Sequence, residues 1–239
     1  MLKQYPIENI LFIDIETVPQ YSSFDDVSVV MQELWDKKSK YFRNEDQSPA
    51  DVYQRAGIYA EFGKIICISA GIVKAKNGTR FFRVKSFAGE DEKQLLLDFS
   101  EMLNAFSHGK ERYMCGHNSK EFDFPYIARR MLINGVELPA MLDVAGKKPW
   151  EVKFLDTLDL WKFGDYKHYT SLNLLTAIFN IPSPKDDIDG SQVADVFYLE
   201  KDIQRIAVYC EKDVLATAQL FLRFKGESLL DPQFVERVF

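Results

Sequence analysis

The chain has 239 residues, 46% of them hydrophobic and 28% charged, which excludes an extended disordered protein and gives enough length for one sizeable α/β core. A formal net charge of −6 and a pI near 5.2 exclude a protein that grips long duplex nucleic acid through a broad basic face. Small substrates, or a short strand end held beside a metal, stay compatible.

No apolar run approaches the roughly 20 residues of a membrane span, and Met1-Leu2-Lys3-Gln4-Tyr5-Pro6 lacks a basic region followed by an apolar core. A cytoplasmic protein with no membrane partner is expected. Cys67, Cys115 and Cys210 have no paired spacing that suits zinc or a disulfide framework, so they read as buried thiols.

The first element is an apolar run over 10–13, rich in β-branched and aromatic residues, that reads as a strand buried on both faces. Asp14 and Glu16 follow at its end, two apart, so an extended backbone projects both from one face. Like charges held together there become tolerable when a divalent cation neutralises them. The same stretch also reads as a strand ending in solvated acids.

Residues 20–55 mix charges with a few anchors, Phe24, Val29, Val30, Met31, Leu34, Trp35, Tyr41, Phe42 and Tyr53. The pattern predicts an irregular, partly helical insertion between the first two strands, spanning 20–60 and bordering the substrate path. Residues 65–73 form a second apolar run, and the Asn77-Gly78 turn signal before the alternating residues 80–87 predicts a hairpin. A helix is predicted over 90–106, a short strand over 113–118, a helix over 122–134 and a last strand over 154–160. Helices over 171–179 and 203–224 flank a Pro-, Asp- and Gly-rich loop at 183–191, with Ser191 as a candidate helix start. The order predicts an α/β fold, a mixed sheet covered by helices, in one domain over 1–239.

Acids recur where strands end or helices begin: Asp14 and Glu16, Asp123 near Asn118, Asp156 or Asp159, and Asp213. Tyr209 stands four residues before Asp213 and so shares its helix face. An acid can hold a metal while a phenol orients a metal-bound water; alternatively Tyr209 is a half-buried aromatic with its hydroxyl at the surface.

Taken together, Asp14-Ile15-Glu16, Asn118 with Phe122-Asp123, and Tyr209 through Asp213 resemble the three ordered motifs of the DEDD superfamily of 3′-to-5′ exonucleases. That superfamily has a ribonuclease H-like fold. The tyrosine four before the last aspartate points to the DEDDy branch, since Val208 occupies the position where the histidine branch carries its histidine. Within it, the chain is similar to stand-alone bacterial proteins related to the proofreading exonuclease domain of family B DNA polymerases. The similarity is least clear over residues 20–60.

The resemblance implies a phosphodiester hydrolase with two divalent cations, Mg²⁺ or Mn²⁺, held by Asp14, Glu16, Asp123 and Asp213. Asp14 would bridge both ions and Tyr209 would orient the attacking hydroxide. Thr17, Asn118 and Phe122 would bind substrate. The expected substrate is a single-stranded DNA 3′ end, with release of nucleoside 5′-monophosphates. An RNA or short-oligonucleotide exonuclease, and a non-catalytic nucleic-acid-binding module, are the alternatives.

Phe122, Phe124, Phe163, Tyr166 and Tyr169 are candidates to stack on a terminal base, though such aromatics also serve as core. The basic runs at 37–43 and Arg129-Arg130 either guide phosphates or form solvated faces. Asp156 is a candidate partner of the site, Asp159 a solvated or capping acid, and His117 a hydrogen-bonding residue of its turn.

Overall fold

A computed structural model describes residues 2–165, 169–183 and 187–238. Tyr166, Lys185 and Asp186, singled out in the sequence, lie outside the described residues. Among the described residues six strands, β1 (Ile10–Pro19), β2 (Gly63–Lys76), β3 (Thr79–Ala88), β4 (Tyr113–Gly116), β5 (Phe154–Asp156) and β6 (Val235–Arg237), form one mixed sheet in the order β5-β4-β1-β2-β3-β6. The hairpin β1–β2–β3 is antiparallel, while β4, β5 and β6 join in parallel. Asn77 and Gly78 turn between β2 and β3 with φ of 52° and 79°, the left-handed conformation that such a two-residue turn requires.

Side chains alternate across β1, and the two faces bury different partners. Leu11, Ile13 and Ile15 pack beneath α2 (Glu92–Ser107) and α3 (Asp123–Ile133). Ile10 and Phe12 face the opposite way, where they meet Val214, Ala218 and Phe221 of the long helix α7 (Ile203–Lys225). Asp202 caps its start through the Arg205 N–H, and Gly226 ends it at φ 73°.

The insertion falls between β1 and β2, as expected, and it carries α1 (Val29–Ser39) and a 3₁₀ turn at Tyr53–Ile58. It has a small core of its own. Trp35, fully buried, packs edge-on against Tyr53, Tyr59 and Phe62, and its indole N–H donates to the Pro49 carbonyl. Val29, Val30, Leu34 and Tyr41 are exposed instead of anchoring the segment, because α1 buries mainly Trp35.

The strand expected over 154–160 stops at Asp156. There the carboxylate accepts the N–H groups of Leu158 and Asp159, caps a helix, and turns the apolar residues after it into α4 (Thr157–Lys162). Next come α5 (Leu172–Ile178), which buries Leu175 against Leu220 of α7, and α6 (Val193–Asp195), which continues into a π-helical turn at Val196–Glu200. The short strand β6 has no forerunner in the sequence pattern; only three residues pair, with Phe82, Arg83 and Val84.

Candidate active site

β4 pairs with β1 only as far as Phe12, so the edge of β1 beyond it opens just where Asp14 and Glu16 stand. The acids are therefore within a long strand, not at its end. The Ile15 N–H, on the opened edge, donates to the Asp123 carboxylate at 3.1 Å, which brings the start of α3 to the middle of β1. On the other side, Glu16 stands opposite Cys67 of β2, and Ile66 forms a bulge before Thr17 resumes pairing with Ile65.

Asp14 and Glu16 share their face of β1 with Phe12, so they point at α7. There Cys210 places its sulfur 3.4 Å from both the Asp14 carbonyl and Asp14 Oδ2. Ligand-type atoms of Asp14, Glu16 and Cys210 all lie within 4.8 Å of one another. The Tyr209 hydroxyl donates to Asp213, four residues on along the same helix face.

Electrostatics join the four acids. Burial first, then Asp213, Asp123 and Glu16, push the Asp14 carboxyl well up, and the Cys210 thiol opposes them. Burial also pushes Asp123 up, to about 7, against the pull of the Ile15 N–H. Burial and then Asp213 raise the Tyr209 phenol, so it is a protonated donor at neutral pH. The largest charges acting on Asp14 are negative, and the ligand-type atoms beside it are mostly carboxylate oxygen. That chemistry fits a hard divalent cation, which supplies the missing positive charge. The Cys210 thiol is pushed up by burial and stays a neutral hydrogen-bond donor rather than a thiolate ligand.

The remaining expected residues sort by position. Asn118 sits at φ 64° in the turn before α3, its N–H bound to Asp156 Oδ1 at 2.9 Å and its carbonyl accepting the Phe122 N–H. Asp156 also accepts the Lys120 N–H, so it fixes the loop that carries Asn118 to the end of β5. Thr17 is on the other face of β1, where its hydroxyl meets that of Tyr126. Phe122 is half-buried, tilted against Tyr126 at 5.3 Å.

Among the stacking candidates, Phe124 is core, 4.4 Å from Phe154. Phe163 and Tyr169 are exposed, and after burial the four acids Asp123, Asp156, Asp14 and Asp213 all act on the Tyr169 phenol. His117 keeps a structural place: one ring nitrogen lies 2.9 Å from the Thr170 carbonyl, the other 2.9 Å from Thr157 Oγ1. Asp159 is half-exposed and pairs with Lys120 and Lys162.

Arg130 corrects the reading of Arg129-Arg130 as either a phosphate guide or a solvated face. Arg129 is exposed, but Arg130 is buried and forks onto Glu92, whose carboxylate also accepts the Ile65 N–H. Cys210 is the residue that sequence reading missed. It lies three residues before Asp213 and next to Tyr209, and that helical spacing was the available signal.

A mixed six-stranded sheet clad with helices, with buried acids meeting at the opened edge of its first strand, is the architecture of a ribonuclease H-like exonuclease. A family described as a predicted 3′-5′ exonuclease related to the exonuclease domain of PolB matches residues 58–233, and the chain belongs to that family. The match takes in Asp123, Tyr209 and Asp213; Asp14 and Glu16 precede it on β1. No curated protein matches the chain.

Proposed function

We propose that this protein is a DEDDy-type, metal-dependent 3′-5′ exonuclease that removes nucleotides from single-stranded DNA ends, with Asp14, Glu16, Asp123, Asp213 and Tyr209 as its catalytic residues. The observation that carries the reading is the placement of acids from α3 and α7 against Asp14 and Glu16 of β1: Asp123 takes the Ile15 N–H, Cys210 of α7 meets Asp14 Oδ2, and Asp213, Asp123 and Glu16 all act on the Asp14 carboxyl. It rests also on the family to which the chain belongs.

In this reading the four carboxylates hold two divalent cations, Mg²⁺ or Mn²⁺, which when bound would lower the pKa of an attacking water and offset charge on the departing 3′ oxygen. The chain's own residues do the rest. Tyr209 remains protonated and bonded to Asp213, so its hydroxyl is held in one orientation beside the acids and can direct the water. The Cys210 thiol engages Asp14 Oδ2 and fixes the rotation of that carboxylate. Asp123, bound to the Ile15 N–H, cannot swing away from β1. Asn118 has no side-chain hydrogen bond among the described residues, which leaves its carboxamide available to a nucleotide, and half-buried Phe122 supplies an aromatic edge. Thr17, with its side chain on the far face, would act on substrate through its backbone.

We take residues 1–239 as one exonuclease domain whose 20–60 insertion borders the strand path. Three free, buried thiols suit the cytoplasm, where disulfides are rare. Among the described residues no helix is long and apolar enough to cross a membrane.

The test is digestion of 5′-labelled single-stranded DNA and matched RNA in Mg²⁺ or Mn²⁺, by the wild type and Asp14→Ala. A ladder of shortened DNA products from the wild type alone is expected, with 5′-monophosphates released. Equal or faster loss of RNA would overturn the DNA assignment, because the 2′-hydroxyl is then accepted. Absence of any ladder with either metal would overturn the activity.

A further inference from the structure

The acidic site must receive a phosphate backbone that its own charge repels, and most nearby cations are already committed. Arg130 is locked to Glu92, Lys120 to Asp159, and Arg43 and Lys40 to Asp36.

Lys64 and Lys201 differ. Lys64 stands opposite Val18 in the β1–β2 register, on the same face as Asp14 and Glu16 and two residues further along β1 than Glu16, about 7 Å at strand spacing. Its ammonium lies 4.9 Å from the centroid of Phe197 and 5.5 Å from that of Tyr198, both in the π-helical turn. Lys201 closes that turn in the left-handed conformation, at φ 59°, and brings its ammonium to 6.0 Å from the same Tyr198 ring. The Tyr198 hydroxyl donates to the Pro19 carbonyl at 2.6 Å, which ties the turn to the end of β1.

Neither lysine has an ion-pair partner among the described residues. Each repels the other instead. Burial holds the Lys64 ammonium below its usual value; Glu92 and Glu90 oppose this, and Lys201 and Arg130 add to it more weakly. A left-handed lysine after a π-turn is a costly local choice, of the kind that clusters at binding sites.

We infer that Lys64 and Lys201, spaced by the Tyr198 ring, form a subsite for a backbone phosphodiester of the single strand whose 3′ end enters the acidic site. The inference rests on the exonuclease reading, and it adds the place where the strand is held. An anionic diester between the two ammoniums removes their repulsion and offsets the partial desolvation of Lys64. The exposed part of Tyr198 offers a neighbouring base an aromatic surface.

Fluorescence anisotropy of a labelled single-stranded oligodeoxythymidine, titrated in chelator at several salt concentrations, tests it without any cleavage. Each phosphate contact on a single strand contributes about 0.7 to the slope of log affinity against log salt. The double variant Lys64→Gln/Lys201→Gln should lower that slope by about 0.7 and weaken binding at least about tenfold at low salt. Lys64→Arg/Lys201→Arg should retain both. Hydrolysis of the p-nitrophenyl ester of thymidine 5′-monophosphate, which has no second phosphodiester, should be unchanged in either variant.

An unchanged slope in the Gln variant, or no binding by the wild type, overturns the subsite. A normal slope change with no ester or DNA hydrolysis by the wild type leaves the subsite standing and overturns the exonuclease reading instead.

Discussion

Asp123→Asn isolates the electrostatic cost of the acidic cluster. The amide keeps an oxygen that can accept the Ile15 N–H but removes the charge. In the folded protein Asp123 is pushed from 3.8 up to about 7, mainly by burial, and the carboxylate is only 3% exposed. The shift is about 3 units at roughly 1.36 kcal/mol each, so the penalty is on the order of 4 kcal/mol, shared with its neighbours.

The sign follows from the order of deprotonation. The unfolded chain loses this proton near its ordinary value, whereas the folded chain holds it until about 7. The stability conferred by the protonated form is therefore full below about 4, is lost as pH rises through about 7, and stays lost above. In chelator at pH 8, urea denaturation should find Asp123→Asn more stable than the wild type by up to about 4 kcal/mol, with the gap closing toward pH 4. Its nuclease activity should fall at the same time. Equal stability at pH 8, or a gap that does not shrink on acidification, would refute the argument that burial strains this carboxylate.

Other outcomes follow from the same geometry. Tyr209→Phe should lower kcat about 10²-fold or more with little change in KM, since it removes only the hydroxyl bonded to Asp213; steady-state kinetics on a single strand will check this. Arg130→Ala should cost about 3–5 kcal/mol in urea denaturation by leaving Glu92 buried without its bidentate partner. Trp35→Ala should cost about 3–5 kcal/mol as well, with hydrogen exchange showing lost protection in α1 and the 3₁₀ turn before the central strands.

What was legible in the sequence was whatever local pattern determines. The Asn77-Gly78 hairpin, the apolar stripes of α2, α3 and α7, and the run of β1 all appear where periodicity puts them. Misreadings came where one tertiary contact overrides pattern. Leu158 and Leu160 suit a strand, yet the Asp156 cap makes them helical. Two adjacent arginines look alike in sequence, and only the position of Glu92 buries one of them. The apolar residues of α1 suggest a buried stripe, but the small insertion core has room chiefly for Trp35.

The candidate site was legible as an ordered set of acids with a tyrosine, because strand and helix periods fix which residues share a face. Its assembly was not. That β4 stops at Phe12, so that Asp123 can take the Ile15 N–H, is a matter of strand length in a different segment. The approach of Cys210 to Asp14 depends on where α7 crosses β1, and the position of Thr17 on the Tyr126 side follows from the pleat of β1.

The most direct test of the four-carboxylate centre is calorimetric titration of Mn²⁺ into the wild type and Asp14→Asn at pH 8. Two ions bound by the wild type and a loss of binding in the variant are predicted, with proton release from the wild type growing as pH falls toward 7. Equal Mn²⁺ binding by both proteins, or none by the wild type, would contradict the account.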